Sequence, residues 1–451
     1  MIQMQLSEAA EVLHTGLCGV DRSFIGCGTD SRTLKQGELF IALQGENFDG
    51  HKFLDKAIES GAVAAMLEHD PGHSSLPFIL VQDTKGAMGK LASSWRSKFT
   101  LPLIAVTGSN GKTTVKEMLA SILSQHAQVL ATSGNLNNDI GVPLTLFGLH
   151  GQHKYAVIEM GANHPGEIAK LTAMARPDVA LITLCAPSHI KGFGSIDGVA
   201  KAKAEIFSGL GDDGIAIINL DDKYASQWQL IASEHQQLSF GIDEAADIRA
   251  RNVQLDKVSG NGRFILTTAE AEIEIELKLF GLHNIKNALA AAACCIALDI
   301  PLNQIRDGLD IMHAVKGRMQ IKSGTKQTRI IDDTYNANPA SLAAAIESAC
   351  ASSERCWLVL GDMGELGDTA ISSHIHAGEL ARASGIERLY LVGELATYAA
   401  EAFGRGARHF ADKESLTSTL MQEVEEGLTI LIKGSRSMAM EKVVQALVQE
   451  P

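Results

Sequence analysis

The sequence contains little proline, few cysteines and no long apolar run. Only 10 of its 451 residues are proline, against 42 glycines, a balance that favours tight strand-to-helix turns over proline-rich linkers. Its seven cysteines are scattered and form no Cys-x-x-Cys pair, which argues against a disulfide framework or a zinc ribbon and predicts buried free thiols. The most apolar stretch, residues 288–298, is shorter than the roughly 18 residues that a transmembrane helix needs.

Positive charge is also scarce. Lysine and arginine number 39 against 53 aspartates and glutamates, a formal net charge of −14, and no basic patch is visible, so we expect no nucleic-acid partner. The first 13 residues lack a basic segment and carry Glu8 and Glu11, which argues against a secretory signal. We therefore expect a cytoplasmic protein that does not associate with membranes.

Length and patterning indicate an α/β protein of three domains. A chain of 451 residues predicts about three domains at roughly 150 residues each. Short apolar runs alternate with helix-like stretches, as in parallel sheets with crossover helices. We expect an N-terminal α/β domain over residues 1–99, a central domain with a parallel sheet over residues 100–313, and a C-terminal Rossmann-like α/β domain over residues 314–451.

Strands are predicted in each domain from the apolar runs. In residues 271–279 isoleucine and leucine alternate with charged residues, the pattern of a half-exposed strand, and with residues 263–268 this predicts a small antiparallel appendage. An alanine-rich helix is expected over residues 285–298. The other predicted strands are residues 39–43, 62–67, 78–81, 101–106, 155–159, 179–183, 215–219, 329–333, 357–361, 389–393 and 428–432.

A phosphate-binding turn follows the strand at residues 101–106. The segment Gly108-Ser-Asn-Gly-Lys-Thr-Thr114 precedes an amphipathic stretch, which is the context of a P-loop. Glycines let backbone N–H groups converge on phosphate oxygens, Lys112 supplies a positive charge, and Thr113 offers a hydroxyl to Mg²⁺. The loop is shorter than the usual motif, because Val106 stands where the first glycine would be.

Three further side chains are candidates for this site. Glu159 ends a predicted strand, at the edge where parallel sheets place ligands, and could hold Mg²⁺ or orient water. His189 lies in a loop after another strand. Lys201 and Lys203 are two apart on a predicted helix, so they point about 200° apart and only one faces the site. Taken singly, each residue is as readily explained as a solvated or structural side chain.

Motifs across the chain resemble those of the ATP-dependent Mur ligases, and most specifically the members that attach D-alanyl-D-alanine. The P-loop and the His-Asn element at His283 and Asn284 are shared across that family. Residues 332–339, 361–367 and 433–436 are particular to the members that attach D-alanyl-D-alanine. The matching segments are residues 29–32, 45–51, 107–114, 134–144, 192–194, 202–207, 281–288, 317–318, 332–339, 361–367 and 433–436.

The resemblance implies roles for individual residues. Lys112, Glu159, His189, Lys203 and Arg318 would be catalytic, with Lys203 carbamylated so that it approaches Mg²⁺ as an anion. Two Mg²⁺ ions are expected, held by Thr113, Glu159, His189 and Lys203. ATP would be bound by Gly108, Ser109, Asn110, Gly111, Lys112, Thr113, Thr114, His283, Asn284, Asn287, Arg318 and Asp333. The substrates would be bound by Thr29, Ser31, Arg32, Asn47, Asn135, Asn138, Tyr335, Asn336, Asn338, Lys433, Ser435 and Arg436.

The resemblance further implies an ADP-forming ligase of peptidoglycan precursor synthesis. It would join D-alanyl-D-alanine to UDP-N-acetylmuramoyl-tripeptide through an acyl phosphate, as a monomer, with the C-terminal domain closing on the central one. One departure stands out: family members commonly carry asparagine shortly before the matching histidine, where this chain has Leu184 and Cys185.

Three alternative functions remain open from the residues. A related ligase that extends folates with glutamate would share the P-loop and the His-Asn element. A P-loop kinase or motor ATPase would need no amine co-substrate. A nucleotide-gated binding protein would bind ATP without turnover.

Overall fold

The structure, a computed structural model, describes residues 1–46, 48–72, 75–242, 245–256 and 259–448. Within these ranges the chain forms three α/β units, each with its own mainly parallel sheet. The predicted fold class is therefore confirmed. In the same ranges, no helix has both the length and the apolar character to cross a bilayer.

The N-terminal unit is built on a sheet with strand order β2-β9-β8-β5-β4. β2 is antiparallel to its neighbour, and the other pairs are parallel. The elements in chain order are β1 (Gln3–Gln5), α1 (Leu6–Val12), β2 (Leu17–Cys18), β3 (Ser23–Ile25), β4 (Cys27–Gly28), β5 (Leu39–Ile41), β6 (Gln44–Gly45), β7 (Phe48–Asp49), α2 (Leu54–Glu59), β8 (Ala64–Leu67), β9 (Phe78–Leu80) and α3 (Thr84–Arg96).

The central unit has the strand order β11-β12-β10-β13-β14-β15-β16-β17-β18. Its elements are β10 (Leu103–Thr107), α4 (Lys112–Leu123), β11 (Gln128–Ala131), α5 (Gly141–Leu146), β12 (His153–Glu159), α6 (Glu167–Ala175), β13 (Val179–Ile182), α7 (Ile190–Phe193), α8 (Ile196–Ala204), β14 (Ile215–Asn219), α9 (Ala225–Ile231), β15 (Gln236–Gly241), β16 (Ile248–Leu255), β17 (Asn261–Thr267), β18 (Glu272–Phe280), α10 (Leu282–Ile296) and α11 (Leu302–Asp310).

The C-terminal unit has the strand order β19-β20-β24-β21-β22-β23, in which β19 is antiparallel to its neighbour and the other pairs are parallel. Its elements are β19 (Gln320–Ser323), β20 (Arg329–Asp333), α12 (Pro339–Ala351), β21 (Cys356–Gly361), α13 (Ala370–Ala383), β22 (Arg388–Val392), α14 (Ala396–Phe403), β23 (Ala407–Phe410), α15 (Lys413–Glu423), β24 (Thr429–Lys433) and α16 (Glu441–Leu447).

The predicted antiparallel appendage is part of the central sheet. β17 pairs antiparallel with β16 and β18, and β16 in turn pairs parallel with β15. The predicted alternation in β18 is observed: Ile275 and Leu277 are buried, while Glu274 and Glu276 are exposed. β16, β17 and β18 continue the central sheet, because the apolar side chains on one face of β18 are buried only when that face packs against the rest of the unit.

The N-terminal and central units share a core, whereas the C-terminal unit has cores of its own. Trp95 and Arg96 of α3 donate hydrogen bonds to the carbonyl oxygens of Leu149 and Ala175, at 3.2 and 3.0 Å, and apolar residues of both units form one cluster. Phe280 is the central unit's contribution to one C-terminal cluster. Such a separate core suits a unit that moves as a rigid body.

The cysteines behave only partly as predicted. All seven are free, but burial is complete for Cys294, Cys295 and Cys356 only, and the other four are partly exposed. Cys294 and Cys295 are buried because they lie on α10, which packs on the central sheet.

Candidate active site

A cleft of about 790 Å³ lies where the central unit faces the other two. Its position follows from the sheet: β10 lies between β12 and β13 in parallel register, with Val106 opposite Glu159 and Thr107 opposite Ile182. The carboxyl ends of the three strands therefore meet at one edge. The predicted site residues in its lining are Ser109, Asn110, Gly111, Lys112, Thr113, Thr114, Asn135, Asn138, Glu159, His189, Lys203, His283, Asn284, Asn287, Arg318, Asp333, Tyr335, Asn336, Asn338, Lys433 and Arg436.

The P-loop requires glycine at two positions. Gly108 and Gly111 have φ angles of 148° and 82°, a region that favours glycine. A Cβ at Gly111 would overlap the Asn287 amide, and one at Gly108 would overlap the Thr183 hydroxyl. α4 begins directly afterwards at Lys112, so the unpaired N–H groups of its first turn face the cleft and suit an anion.

Lys112 adds positive charge to this turn. Its Nζ donates to the Gly108 carbonyl oxygen at 2.8 Å. Burial lowers the pKa of Lys112, the nearby Arg318 lowers it further, and Glu159 opposes the shift. Two cations held together in a buried place are stabilised by a polyanion, and phosphate groups have the matching charge.

Glu159 has a free carboxylate oxygen inside the protein. The residue is 2% exposed at the end of β12. Its Oε1 accepts a hydrogen bond from Asn137 Nδ2 at 2.8 Å, whereas Oε2 is buried with no hydrogen-bond partner. An unpartnered buried carboxylate oxygen is costly unless a cation binds it. The Thr113 hydroxyl lines the same cleft, and carboxylate and hydroxyl oxygens are the kinds of donor that Mg²⁺ takes.

The donors around this point are not those of a transition-metal site. Across the described ranges, no three His, Cys, Asp or Glu side chains converge on one point. A cation here would therefore need ligands besides such side chains, for example hydroxyl or phosphate oxygens, as Mg²⁺ commonly has.

Lys203 is a buried amine without an anionic partner. It is 2% exposed, whereas Lys201 two residues earlier is exposed, as the helical spacing predicts. Its Nζ lies 5.8 Å from the Phe193 ring centroid, and no hydrogen bond or ion pair joins it to the rest of the described chain. Burial and the charge of Lys112 lower the pKa of Lys203 to about 7. A neutral amine is therefore accessible near neutral pH, as reaction with CO₂ requires.

His189 joins two units across the cleft. It lies in the loop between β13 and α7, as predicted, and is the N-cap residue of α7, with φ at 50°. Its Nδ1 lies 2.8 Å from Glu365 Oε2 of the C-terminal unit. Burial lowers the pKa of His189, and Lys112 and Lys203 contribute in the same direction, against the charge of Glu365.

The first turn of α10 presents polar groups to the cleft. Asn287 Nδ2 donates to Asn284 Oδ1 at 3.1 Å, so the two asparagines lie on one helix face, as predicted. His283 Nδ1 is buried with no hydrogen-bond partner, and burial lowers the pKa of His283. A neutral imidazole and two amides can read the donor and acceptor pattern of a flat heterocycle.

The C-terminal unit touches the P-loop directly. Arg318 Nη2 donates to Thr113 Oγ1 at 3.2 Å, and its guanidinium stacks on Tyr335 at 4.1 Å from the ring centroid. Arg318 Nε is buried with no hydrogen-bond partner. Asn338 Nδ2 donates to Asn110 Oδ1 at 2.8 Å. These contacts hold the two sides of the cleft together.

Asp333 is engaged within its own unit. It forms a buried ion pair with Lys433, and its Oδ1 accepts from the Met319 N–H at 3.2 Å. Lys433 Nζ also donates to the Asn336 carbonyl oxygen at 2.9 Å. Each carboxylate oxygen has a second lone pair, so Asp333 can still accept from a ligand hydroxyl.

Several predicted residues lie outside the cleft lining. Gly108 and Ser435 are not among the lining residues, and Ser435 Oγ lies 3.2 Å from Ser437 Oγ. In the N-terminal unit, Arg32 pairs with Asp30 at 2.6 Å, away from the cleft. Thr29 and Ser31 are also absent from the cleft lining, and Asn47 lies outside the described residues.

Sequence reasoning missed some cleft residues. Asn137 donates a hydrogen bond to Glu159 and lies in the same asparagine-rich run as Asn135 and Asn138. Because the run forms an irregular loop, the sequence does not show which of these side chains points into the cleft. Glu365 lies in a segment singled out for its resemblance, but its partner is in another unit. Leu184, at the position where asparagine is common, lines the cleft.

Three family models match successive segments of the chain. They are the Mur ligase family catalytic domain at residues 23–96, the Mur ligase middle domain at residues 106–295, and the Mur ligase glutamate ligase domain at residues 317–436. Together they span most of the chain. The chain belongs to the Mur ligase family.

This Mur ligase is similar over its whole length to curated and solved relatives. It is 44% identical over 450 residues to the UDP-N-acetylmuramoyl-tripeptide–D-alanyl-D-alanine ligase of Escherichia coli K12, covering 99% of each chain. MurF from Acinetobacter baumannii superposes with a TM-score of 0.93 at 33% identity, covering 99% of this chain and 98% of that one. MurF from Thermotoga maritima, solved in complex with ADP, has a TM-score of 0.82 at 27% identity, covering 93% and 96%.

Proposed function

We propose that this Mur ligase joins D-alanyl-D-alanine to UDP-N-acetylmuramoyl-tripeptide, converting ATP to ADP and phosphate. The observation that carries the proposal is the contact of Arg318 with Thr113 across the cleft, beside Lys112. Three groups suited to a triphosphate thus converge from two units. The Escherichia coli relative has the same reaction in its name, and MurF from Thermotoga maritima was solved with ADP.

The first chemical step is transfer of the γ-phosphoryl group of ATP to the carboxylate of the tripeptide. Two anions must approach each other, so positive groups are needed where charge develops. Lys112 and the N–H groups of the P-loop face the phosphates, and Arg318 reaches them from the C-terminal unit. The products of this step are an acyl phosphate and ADP.

The second step is attack by the amine of D-alanyl-D-alanine on the acyl carbon, with loss of phosphate. The C–N bond forms, the C–O bond to phosphate breaks, and the amine releases a proton. An acyl phosphate also reacts with water, so the cleft must be shielded while it exists. The contacts of Arg318 and Asn338 with the P-loop close that side of the cleft.

Two Mg²⁺ ions and a carbamylated lysine complete the proposed site. Mg²⁺ when bound neutralises phosphate oxygens and orients them for in-line transfer. Glu159, Thr113 and His189 would hold the metal ions, with the orphaned Glu159 Oε2 as the clearest vacant donor. Carbamylation would turn Lys203 into a further oxygen donor and remove its buried positive charge.

The remaining predicted residues divide between the nucleotide and the substrates. His283, Asn284 and Asn287 would contact adenine, and Asp333 the ribose. Substrate binding would use Asn135, Asn138, Tyr335, Asn336, Asn338, Lys433, Ser435 and Arg436 near the cleft, with Thr29, Ser31, Arg32 and Asn47 for the uridine-diphosphate end. The enzyme would act as a monomer in the cytoplasm, in peptidoglycan precursor synthesis and hence in cell shape and division.

The experiment is a product analysis by mass spectrometry. The enzyme is incubated with ATP, Mg²⁺ and either UDP-N-acetylmuramoyl-tripeptide or a folate, each together with D-alanyl-D-alanine or glutamate. We expect a product that has gained the dipeptide less one water, and none with glutamate. A glutamyl product from a folate substrate, with no reaction of the tripeptide, would replace this proposal with the folate-type ligase.

A further inference from the structure

A short segment of the C-terminal unit docks on the central unit beside His189. The segment comprises residues 364–367, and its Glu365 Oε2 lies 2.8 Å from His189 Nδ1. Two residues further on, Gly367 packs on the central unit as well: a Cβ at Gly367 would lie 3.4 Å from the Cβ of Lys191. Two contacts from one segment therefore meet residues 189–191.

Both members of the contact have an unusual backbone. The φ angles of His189 and Glu365 are 50° and 61°, in the left-handed region that few non-glycine residues adopt, histidine more readily than glutamate. Such conformations persist where the surroundings enforce them, and they concentrate at functional sites. Here the same strain occurs at both ends of one contact between units.

The docking segment is held from behind by buried residues. Met363 and Leu366 are 1% and 2% exposed, so the chain is anchored on both sides of Glu365. His374, which is fully buried, accepts a hydrogen bond from the Met363 N–H at 3.0 Å, and its Nδ1 lies 2.7 Å from the Ala370 carbonyl oxygen. Glu365 itself is left exposed toward the cleft.

Charge favours the same contact. Lys112 is a cation of the central unit whose charge reaches His189. Glu365 is the carboxylate that the docking segment brings to this side of the cleft, and opposite charges attract more strongly in partly buried places.

We propose that Glu365 is a positioning residue that latches the C-terminal unit onto His189 and sets the orientation of that imidazole in the closed enzyme. The latch would act on the reaction through His189 and through closure, without touching the substrates. Its effect on turnover rests on the proposed function, whereas its effect on the contact between the two units does not.

The test uses Glu365→Gly, because glycine adopts the positive φ without strain and the variant should fold. Asp368→Ala is the matched control, since Asp368 is an exposed carboxylate of the adjoining turn, in a helical segment over Gly367–Thr369. Hydrogen exchange and melting are measured on both variants and the parent enzyme. Exchange is followed in peptides covering residues 186–194 and 362–369.

We expect faster exchange at residues 186–194 in Glu365→Gly alone, with a melting temperature no lower than that of the parent. If Glu365 only shaped its own loop, Glu365→Gly would change hydrogen exchange at residues 362–369 but not at residues 186–194. That result would overturn the proposal. In turnover assays we expect kcat to fall on the order of 10-fold, with the Kd for a nonhydrolysable ATP analogue unchanged. Once the proposed reaction has been demonstrated for the parent enzyme, a parent-like kcat in Glu365→Gly would also contradict the latch.

Discussion

Arg318 Nη2 donates to Thr113 Oγ1 at 3.2 Å, joining the start of the C-terminal unit to the first turn of the P-loop helix. The two residues come from separate units with separate cores. A complete phosphate site thus depends on how the units are placed, and positioning by closure becomes part of catalysis.

Replacing Arg318 by lysine should lower kcat on the order of 100-fold, although the charge is kept. Lysine lacks the planar fork that lets arginine stack on Tyr335 and reach Thr113 together. Steady-state kinetics measure the change, with the exposed Arg382→Lys as control. A kcat within twofold of the parent would show that charge alone is sufficient at this position.

Lys112→Ala should abolish ATP-dependent phosphate release, with a loss of about 100-fold or more. The reason is that no other side chain offers its charge from within the P-loop turn itself. The exposed Lys201→Ala serves as control, and circular dichroism verifies folding. Near-parent turnover in Lys112→Ala would rule out the phosphate role of this residue.

Carbamylation of Lys203 should depend on pH in one direction. Only the neutral amine reacts with CO₂, and burial lowers the pKa of Lys203 to about 7. At constant dissolved CO₂, the fraction of Lys203 that is carbamylated should therefore rise as the pH increases through about 7. The measurement is the carbamate signal in ¹³C NMR with labelled bicarbonate. Lys201→Ala should keep the signal, and Lys203→Ala should lose it.

Activity offers an independent check of the same modification. Short carboxylic acids should partly restore turnover to Lys203→Ala, because they supply the missing oxygen donors. A folded Lys203→Ala enzyme that shows no rescue, or a parent enzyme without a carbamate signal at pH 8, would count against carbamylation.

Lys433→Met should destabilise the C-terminal unit by about 3–5 kcal/mol, because it leaves Asp333 buried without its partner. The two side chains form an ion pair in which Lys433 is 1% and Asp333 8% exposed. Hydrogen exchange at increasing urea concentration, followed in peptides covering residues 356–361 and 429–433, measures the effect in this unit. The double variant with Asp333→Leu should recover most of the loss, and a single variant as stable as the parent would show that the pair contributes nothing.

Much of the fold was predictable because local patterns and global topology agree. The strand before Gly108 and the helix after Gly111 follow from apolar periodicity and glycine spacing. Helical geometry predicted that only one of Lys201 and Lys203 faces the site, and the resemblance selected Lys203, which is the buried one. By contrast, the antiparallel strands join the central sheet rather than standing apart, and strand pairing at long range is not written in local periodicity.

The contacts between units could not be predicted from the residues themselves, and only the resemblance implied that Arg318 reaches the ATP site. Periodicity indicates which face of an element is buried but not which units meet, so the pairing of His189 with Glu365 has no signal in either segment. Backbone conformation is equally hidden: a left-handed histidine or glutamate has no sequence signature of the kind that glycine provides.

The most direct test of the account is phosphate release measured with each reactant omitted in turn. With ATP, Mg²⁺, UDP-N-acetylmuramoyl-tripeptide and D-alanyl-D-alanine together, we predict one phosphate for each amide bond formed. Omitting either the tripeptide nucleotide or the dipeptide should reduce steady-state release to background. Sustained phosphate release from ATP alone would contradict the account, because the cleft would then act as an ATPase that needs no amine.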